Sequence, residues 1–128
     1  MVDTVAVDLS VEIKVLNDYA TEYRGSLPNS VEKNGDIRVG KGKVLSFNCI
    51  RPFALYIKGR KKPDVPSPSD DNELMYCGKW NQGQGHYETT PPVKLKSNLD
   101  AEDWYDYGVV VLNPNGTLQL HDPRILID

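Results

Sequence analysis

Near the start of the chain, Val5, Val7, Leu9, Val11, Ile13 and Val15 recur at strict period two, separated by Ala6, Asp8, Ser10, Glu12 and Lys14. Side chains two apart share one face of a strand, so this pattern predicts a long strand with one buried and one wet face. At helical spacing the same residues would scatter around the cylinder, and β-branching further favours the strand. A second alternation, Tyr105, Tyr107, Val109 and Val111, runs into Asn113-Pro114-Asn115-Gly116. The Asn-Gly pair supplies the positive φ that a hairpin needs, so Thr117–Leu120 is expected to return alongside. After Asp122-Pro123, Ile125 and Ile127 end the pattern.

The middle of the chain breaks into short pieces. Residues 17–36 are turn-rich, with Asn34-Gly35 placed to reverse the chain between Ser30–Lys33 and Asp36–Val39. Leu45, Phe47 and Cys49 alternate, Arg51-Pro52 interrupts because proline has no donor N–H, and Phe53, Leu55 and Ile57 alternate again. The proline- and acid-rich stretch 59–73 has little to bury and is expected to be a flexible loop. Leu74–Cys77 and Val93–Lys96 read as brief strands, Gly78–Tyr87 as a loop, and 98–103 as one helical turn capped by Asn98 or Asp100. Short alternating segments bounded by turn residues are the signature of a sandwich or barrel. The expectation is an all-β, antiparallel β-sandwich occupying 1–128 as a single domain, with at most one short helical turn.

Composition changes this picture little. At 128 residues, 39% apolar, 26% charged and net charge −3, the chain has the balance of a folded domain rather than a disordered one. No apolar run approaches the roughly 18 residues that span a bilayer, and the N-terminus lacks a basic segment followed by an apolar stretch. The expected location is therefore cytoplasmic, with export left open and no membrane partner. The charge is uneven: residues 1–62 carry 11 basic against 7 acidic side chains, and residues 63–128 carry 4 against 11. Such a split favours head-to-tail self-association at low salt, and the net acidity argues against a nucleic-acid partner.

The segment Trp104-Tyr105-Asp106-Tyr107-Gly108-Val109-Val110-Val111, followed by Leu120-His121-Asp122-Pro123-Arg124-Ile125-Leu126-Ile127-Asp128, resembles the last two strands of small bacterial cupredoxin-like or immunoglobulin-like sandwiches. More loosely, it is similar to the ending of the inclusion-body family that includes AidA and PixA. The resemblance covers about a fifth of the chain; it implies a β-sandwich and carries over no catalytic residue. A blue-copper site needs two His, one Cys and usually an axial Met, with Cys, His and Met clustered toward the C-terminus. Here no cysteine follows Cys77, and Met1 and Met75 both precede His86, so no copper or other cofactor is expected.

Among chemically suggestive residues, Trp80, Asn81, Gln82, Gln84, His86 and Tyr87 offer aromatic faces and amides within eight positions, the types that a sugar site uses for stacking and for hydroxyls. The same residues also read as a plain loop with its aromatics tucked into the core. Trp104 and Asp106 could join that site. A calcium site with Asp100 and Glu102 lacks a loop motif, and Tyr105 and Tyr107 are expected to pack inward. The acidic run Asp64, Asp70, Asp71 and Glu73 reads as a solvated loop, and the basic step 58–62 lacks interleaved aromatics. Cys49 and Cys77 are too few for a disulfide framework; each reads as a small buried hydrophobe, with a single bridge between them left open if the chain is exported.

The leading functional expectation is a non-enzymatic binding module, lectin-like, whose partner is a glycan or another protein. The alternatives are a self-associating structural or inclusion-body-type accessory protein, a homo-oligomer, and a small hydrolase built on Cys77, His86 and an acid such as Asp122.

Overall fold

In the computed structural model, which describes residues 6–17, 20–58, 61, 74–95, 97 and 99–128, the opening alternation becomes β1 (Leu9–Val15). Leu9, Val11 and Ile13 are fully buried, while Val7 lies before the strand and stays exposed. One edge of β1 takes β2 (Thr21–Gly25) antiparallel, and the other takes β4 (Val44–Cys49) parallel. The remaining strands are β3 (Ile37–Val39), β5 (Phe53–Ile57), β6 (Leu74–Asn81), β7 (His86–Thr89), β8 (Val93–Lys94), β9 (Trp104–Leu112), β10 (Leu118–His121) and β11 (Arg124–Ile127). No helix occurs among the described residues. The expected flexible loop at 59–73, Lys61 excepted, and the Asn98 cap lie outside them.

All eleven strands join one mixed sheet, ordered β2-β1-β4-β7-β6-β5-β9-β11-β3, with β10 beside β9 and β8 beside β4, curled into a half-barrel. The all-β expectation holds; the purely antiparallel one does not, because β1 runs parallel to β4 and β11 parallel to β3. Alternation at period two fixes which face a side chain takes but not the direction of the neighbouring strand. The ladder stays continuous because β6 changes partner midway: residues 74–77 pair with β5 and 78–81 with β7. In place of a helical turn at 98–103, a tight turn carries Asp103 N–H to the Asp100 carbonyl (3.1 Å), with Glu102 at φ 72°.

Inside the curl lie Phe47 from β4, Leu55 from β5, and Tyr105, Tyr107, Val109 and Val111 from β9. Phe47 and Tyr107 pack ring to ring at 5.6 Å, joining the two arms of the sheet. Burying side chains of this size stabilises the fold by about 1.5–3 kcal/mol each. The Tyr107 hydroxyl, deep inside, donates to the Gly35 carbonyl. Gly35 adopts φ +100° in the reversal expected at Asn34-Gly35, and an added Cβ would sit 3.1 Å from the Tyr23 ring and 3.0 Å from Pro123.

The same corner closes the open side of the curl. Tyr23 N–H donates to the Lys33 carbonyl (3.0 Å), and the His121 ring on β10 bonds the Thr21 hydroxyl (2.7 Å) and packs edge-on to Tyr23 at 6.1 Å. Burial holds the His121 pKa below its ordinary 6.5, with the neighbouring Asp122 partly offsetting that effect.

Two outcomes follow from this packing. A Cβ on Gly78, where β6 changes partner, would lie 2.5 Å from the ring of the buried Phe53. Gly78→Ala is therefore expected to lower unfolding free energy by about 1–3 kcal/mol, read as a reduced urea midpoint. For His121, the unfolded chain binds protons more readily than the folded one, so this residue's contribution to stability is intact above about pH 6.5 and is lost as pH falls below it. The melting temperature of wild type relative to His121→Gln should decline on acidification through that window; a difference independent of pH contradicts the assignment.

Candidate functional site

The aromatic and amide-rich segment is a hairpin rather than a loop. Trp80 pairs with Tyr87 and Asn81 with His86 across β6 and β7. Gly85, at φ +70°, closes the turn by donating to the Asn81 carbonyl (2.8 Å), while the Asn81 side-chain oxygen accepts from Gln84 N–H (3.2 Å). Strand alternation then divides the expected site. Trp80, 54% exposed, meets Tyr87 edge-on at 5.0 Å on the core-facing side, and Tyr87 packs against the margin of the core. Asn81, His86 and Glu88 point the other way and bind one another: the Asn81 amide donates to Glu88, and His86 lies 3.6 Å from the same carboxylate. Gln82 and Gln84 are exposed at the tip. The hairpin therefore puts its aromatics and its hydrogen-bonding groups on opposite faces.

Trp104 and Asp106 lie elsewhere. They begin β9, on its outward face, and Trp104 is level with Lys61 and with Leu126 of β11. The register along β9 puts Trp80 and Trp104 on the order of 30 Å apart, so the two groups of candidates share no surface. Asp106 is no free carboxylate: Lys61 Nζ lies 2.5 Å away and Arg124 3.3 Å, and the Arg124 guanidinium sits 5.7 Å from the centre of the Trp104 ring. Tyr105 and Tyr107 pack inward as expected. Asp103 is buried and turned back onto the Asp100 N–H (3.0 Å).

This corner opens into a trough of about 720 Å³ over the outer side of β9, β11 and β3. Its floor is a cross-strand row, Trp104–Leu126–Arg38. One wall is the segment carrying Asn29, Ser30 and Glu32, which is tied to β3 by Arg38 N–H donating to the Ser30 carbonyl (2.8 Å). The other wall is the turn carrying Ala101 and Glu102. Arg38 and Asp128 pair across the mouth at 3.3 Å with both side chains more than half exposed. The Trp104 indole nitrogen is buried without a hydrogen-bond partner. Asn29 and Glu102, on the two walls, are the non-glycine residues with positive φ among those described, at 59° and 72°. Backbone held in that region costs of order 1 kcal/mol or more and tends to collect at ligand sites.

The sequence pointed to Trp104 and Asp106, and to Glu102 only as a calcium ligand, but gave no sign of Arg38, Arg124 or Leu126. The alternation Arg124-Ile125-Leu126-Ile127-Asp128 does signal which side chains face outward. Nothing local signals that β3, some 85 positions upstream, lies alongside.

The cysteines separate too. Cys49 is buried, with its thiol pKa pushed up by burial, whereas Cys77 is exposed on the outward face of β6, contrary to the expectation that both are buried; both are free. His86 pairs with Asn81, four positions beyond Cys77, which is about 13 Å by strand rise. A thiolate–imidazole pair needs contact at about 3 Å, so the geometry does not assemble the Cys77–His86–Asp122 set. Compared with protein-family models, curated proteins and solved structures, the chain matches none.

Maleimide labelling checks the cysteine geometry. One thiol per folded molecule should react quickly and the second only on unfolding, with Cys77→Ser abolishing the fast phase; two fast thiols would contradict the burial of Cys49.

Proposed function

We propose that this chain is a non-enzymatic binding module whose ligand lies in the trough over β9, β11 and β3, with carbohydrate as the ligand class. The observation that carries the reading is convergence: the trough joins an indole with two guanidinium groups and the Glu32, Glu102 and Asp128 carboxylates in one concavity. Sites for small polar ligands combine an apolar floor with a few directed polar groups, and guanidinium and carboxylate groups each offer two hydrogen bonds to neighbouring hydroxyls. Exposed ion pairs such as Arg38–Asp128 are worth about 0–1 kcal/mol, so a ligand can exchange them at little cost. The strained walls favour the same place.

The half-barrel holds its core between β4 and β9 much as two sandwich layers would, which supports reading the fold as a cupredoxin-like or immunoglobulin-like sandwich. In that reading the trough is an outer-face site rather than one at the loops.

A glycan-array screen tests the proposal. Wild type should retain a subset of glycans, Arg38→Ala should weaken that binding about 10-fold or more, the loss typical of a charged hydrogen bond, and Trp80→Ala should leave it unchanged. Absence of any binding by wild type sinks the carbohydrate reading; binding lost with Trp80 but not with Arg38 moves the site to the hairpin.

A further inference from the structure

We infer that a second copy of this chain docks, face to face, on the outer surface of β6, β5, β9 and β10, forming a weak two-fold dimer. In antiparallel pairs, directly opposed residues share a face. The register therefore lines up Cys77, Ala54, Val110 and Leu120 in one cross-strand row on the side away from the core. A parallel row holds Met75 and Tyr56, and a third holds Leu112 and Leu118. Each strand's inward residues already build the core, so these rows form a second apolar face on the same sheet. Met75, Leu118 and Leu120 are 74%, 60% and 75% exposed, among the most exposed large apolar side chains described. A contiguous outward patch of this kind on a sheet marks an interaction surface.

The shape and charge of the face select a copy of itself as occupant. Four strands and three rows each span about 14 Å between outer Cα positions, a nearly square footprint on the order of 400 Å² once side chains are included. A square can be overlaid on itself after a quarter turn, which is the orthogonal mode of sheet packing. Within the four strands, charge is confined to two diagonally opposite corners: Lys79, two residues beyond Cys77 on β6 and level with Glu88 on the flanking β7, and Asp122, two residues beyond Leu120. Asp122 is well exposed, with Lys58 3.9 Å away. A two-fold axis along the other diagonal, from Met75 to Leu118, sets Lys79 against the partner's Asp122 twice, and no like charges oppose within the rows. A standard interface hides about 800 Å² per partner. This face offers about half of that, which places the dimer in the weak, reversible class. The surface is separate from the trough, so the dimer neither requires nor excludes the proposed ligand.

Sedimentation equilibrium from about 10 µM to 1 mM, with circular dichroism on every variant, tests the inference. Wild type should pass from monomer toward dimer across that range, and Leu120→Glu should remain monomeric with an unchanged spectrum. Lys79→Asp or Asp122→Lys alone should weaken the dimer about 3–10-fold, and the two together should restore it. A wild-type monomer throughout overturns the inference, as does a dimer that tolerates Leu120→Glu. Single reversals that weaken the dimer without recovery in the pair overturn the two-fold arrangement.

Discussion

The structure turns on how β9 shares its edges. Along one edge it pairs with β5 from Phe53–Val111 to Ile57–Tyr107. Along the other it takes two partners in succession, β11 at Trp104–Asp106 and β10 at Val109–Leu112. Between them the chain crosses at Asp122-Pro123, where the Pro123 carbonyl accepts the Tyr107 N–H (3.0 Å). Proline has no N–H to leave unsatisfied at this crossing. All four inward side chains of β9 are buried in the core, so displacing this strand would open the whole interior. The split edge also lets the sheet curl; the outward residues of β11 and β3 lie between the Asn29–Glu32 segment and the Ala101–Glu102 turn, which wall the trough, while those of β10 stand on an open face.

Division of labour between the faces follows from that geometry. Inward residues are almost uniformly apolar; Thr89 Oγ1 accepts the Phe47 N–H (3.1 Å), whereas the Tyr23 hydroxyl is buried without a hydrogen-bond partner. Outward residues differ along the sheet: charged and aromatic at β9–β11–β3, mostly apolar at β6–β5–β9–β10, with Lys79 and Asp122 at opposite corners. Stability therefore rests on one side of the ladder, while the other carries the trough and the exposed apolar face. The Asp106 carboxylate, held between Lys61 and Arg124, ties the Arg124 guanidinium at the edge of the trough back to β9.

The sequence made the inward face legible, because alternation reports burial directly: Leu9, Val11, Ile13, Tyr105, Tyr107, Ile125 and Ile127 are all inside. The two Asn-Gly reversals were legible as well, since Gly35 and Gly116 take the positive φ that the dipeptide supplies. β2 was hidden among turn residues, and the parallel partners of β1 and β11 were invisible because direction leaves no trace in a period of two. The hairpin carrying Trp80 looked like a site because eight consecutive residues contained the right chemical types. Strand alternation then sent them to opposite faces. The trough escaped detection for the converse reason: Arg38, Glu102, Trp104 and Leu126 are separated along the chain and meet only through the β3–β11–β9 register.

The two tryptophans permit a direct test of the proposed trough site, because each indole N–H gives its own resonance in a nitrogen–proton correlation spectrum. On titration with a pooled library of neutral and acidic oligosaccharides, the Trp104 indole signal and the Arg38 and Leu126 amides should shift together, while the Trp80 signal stays in place. Movement of Trp80 and His86 with Trp104 unchanged would contradict the trough as the binding site.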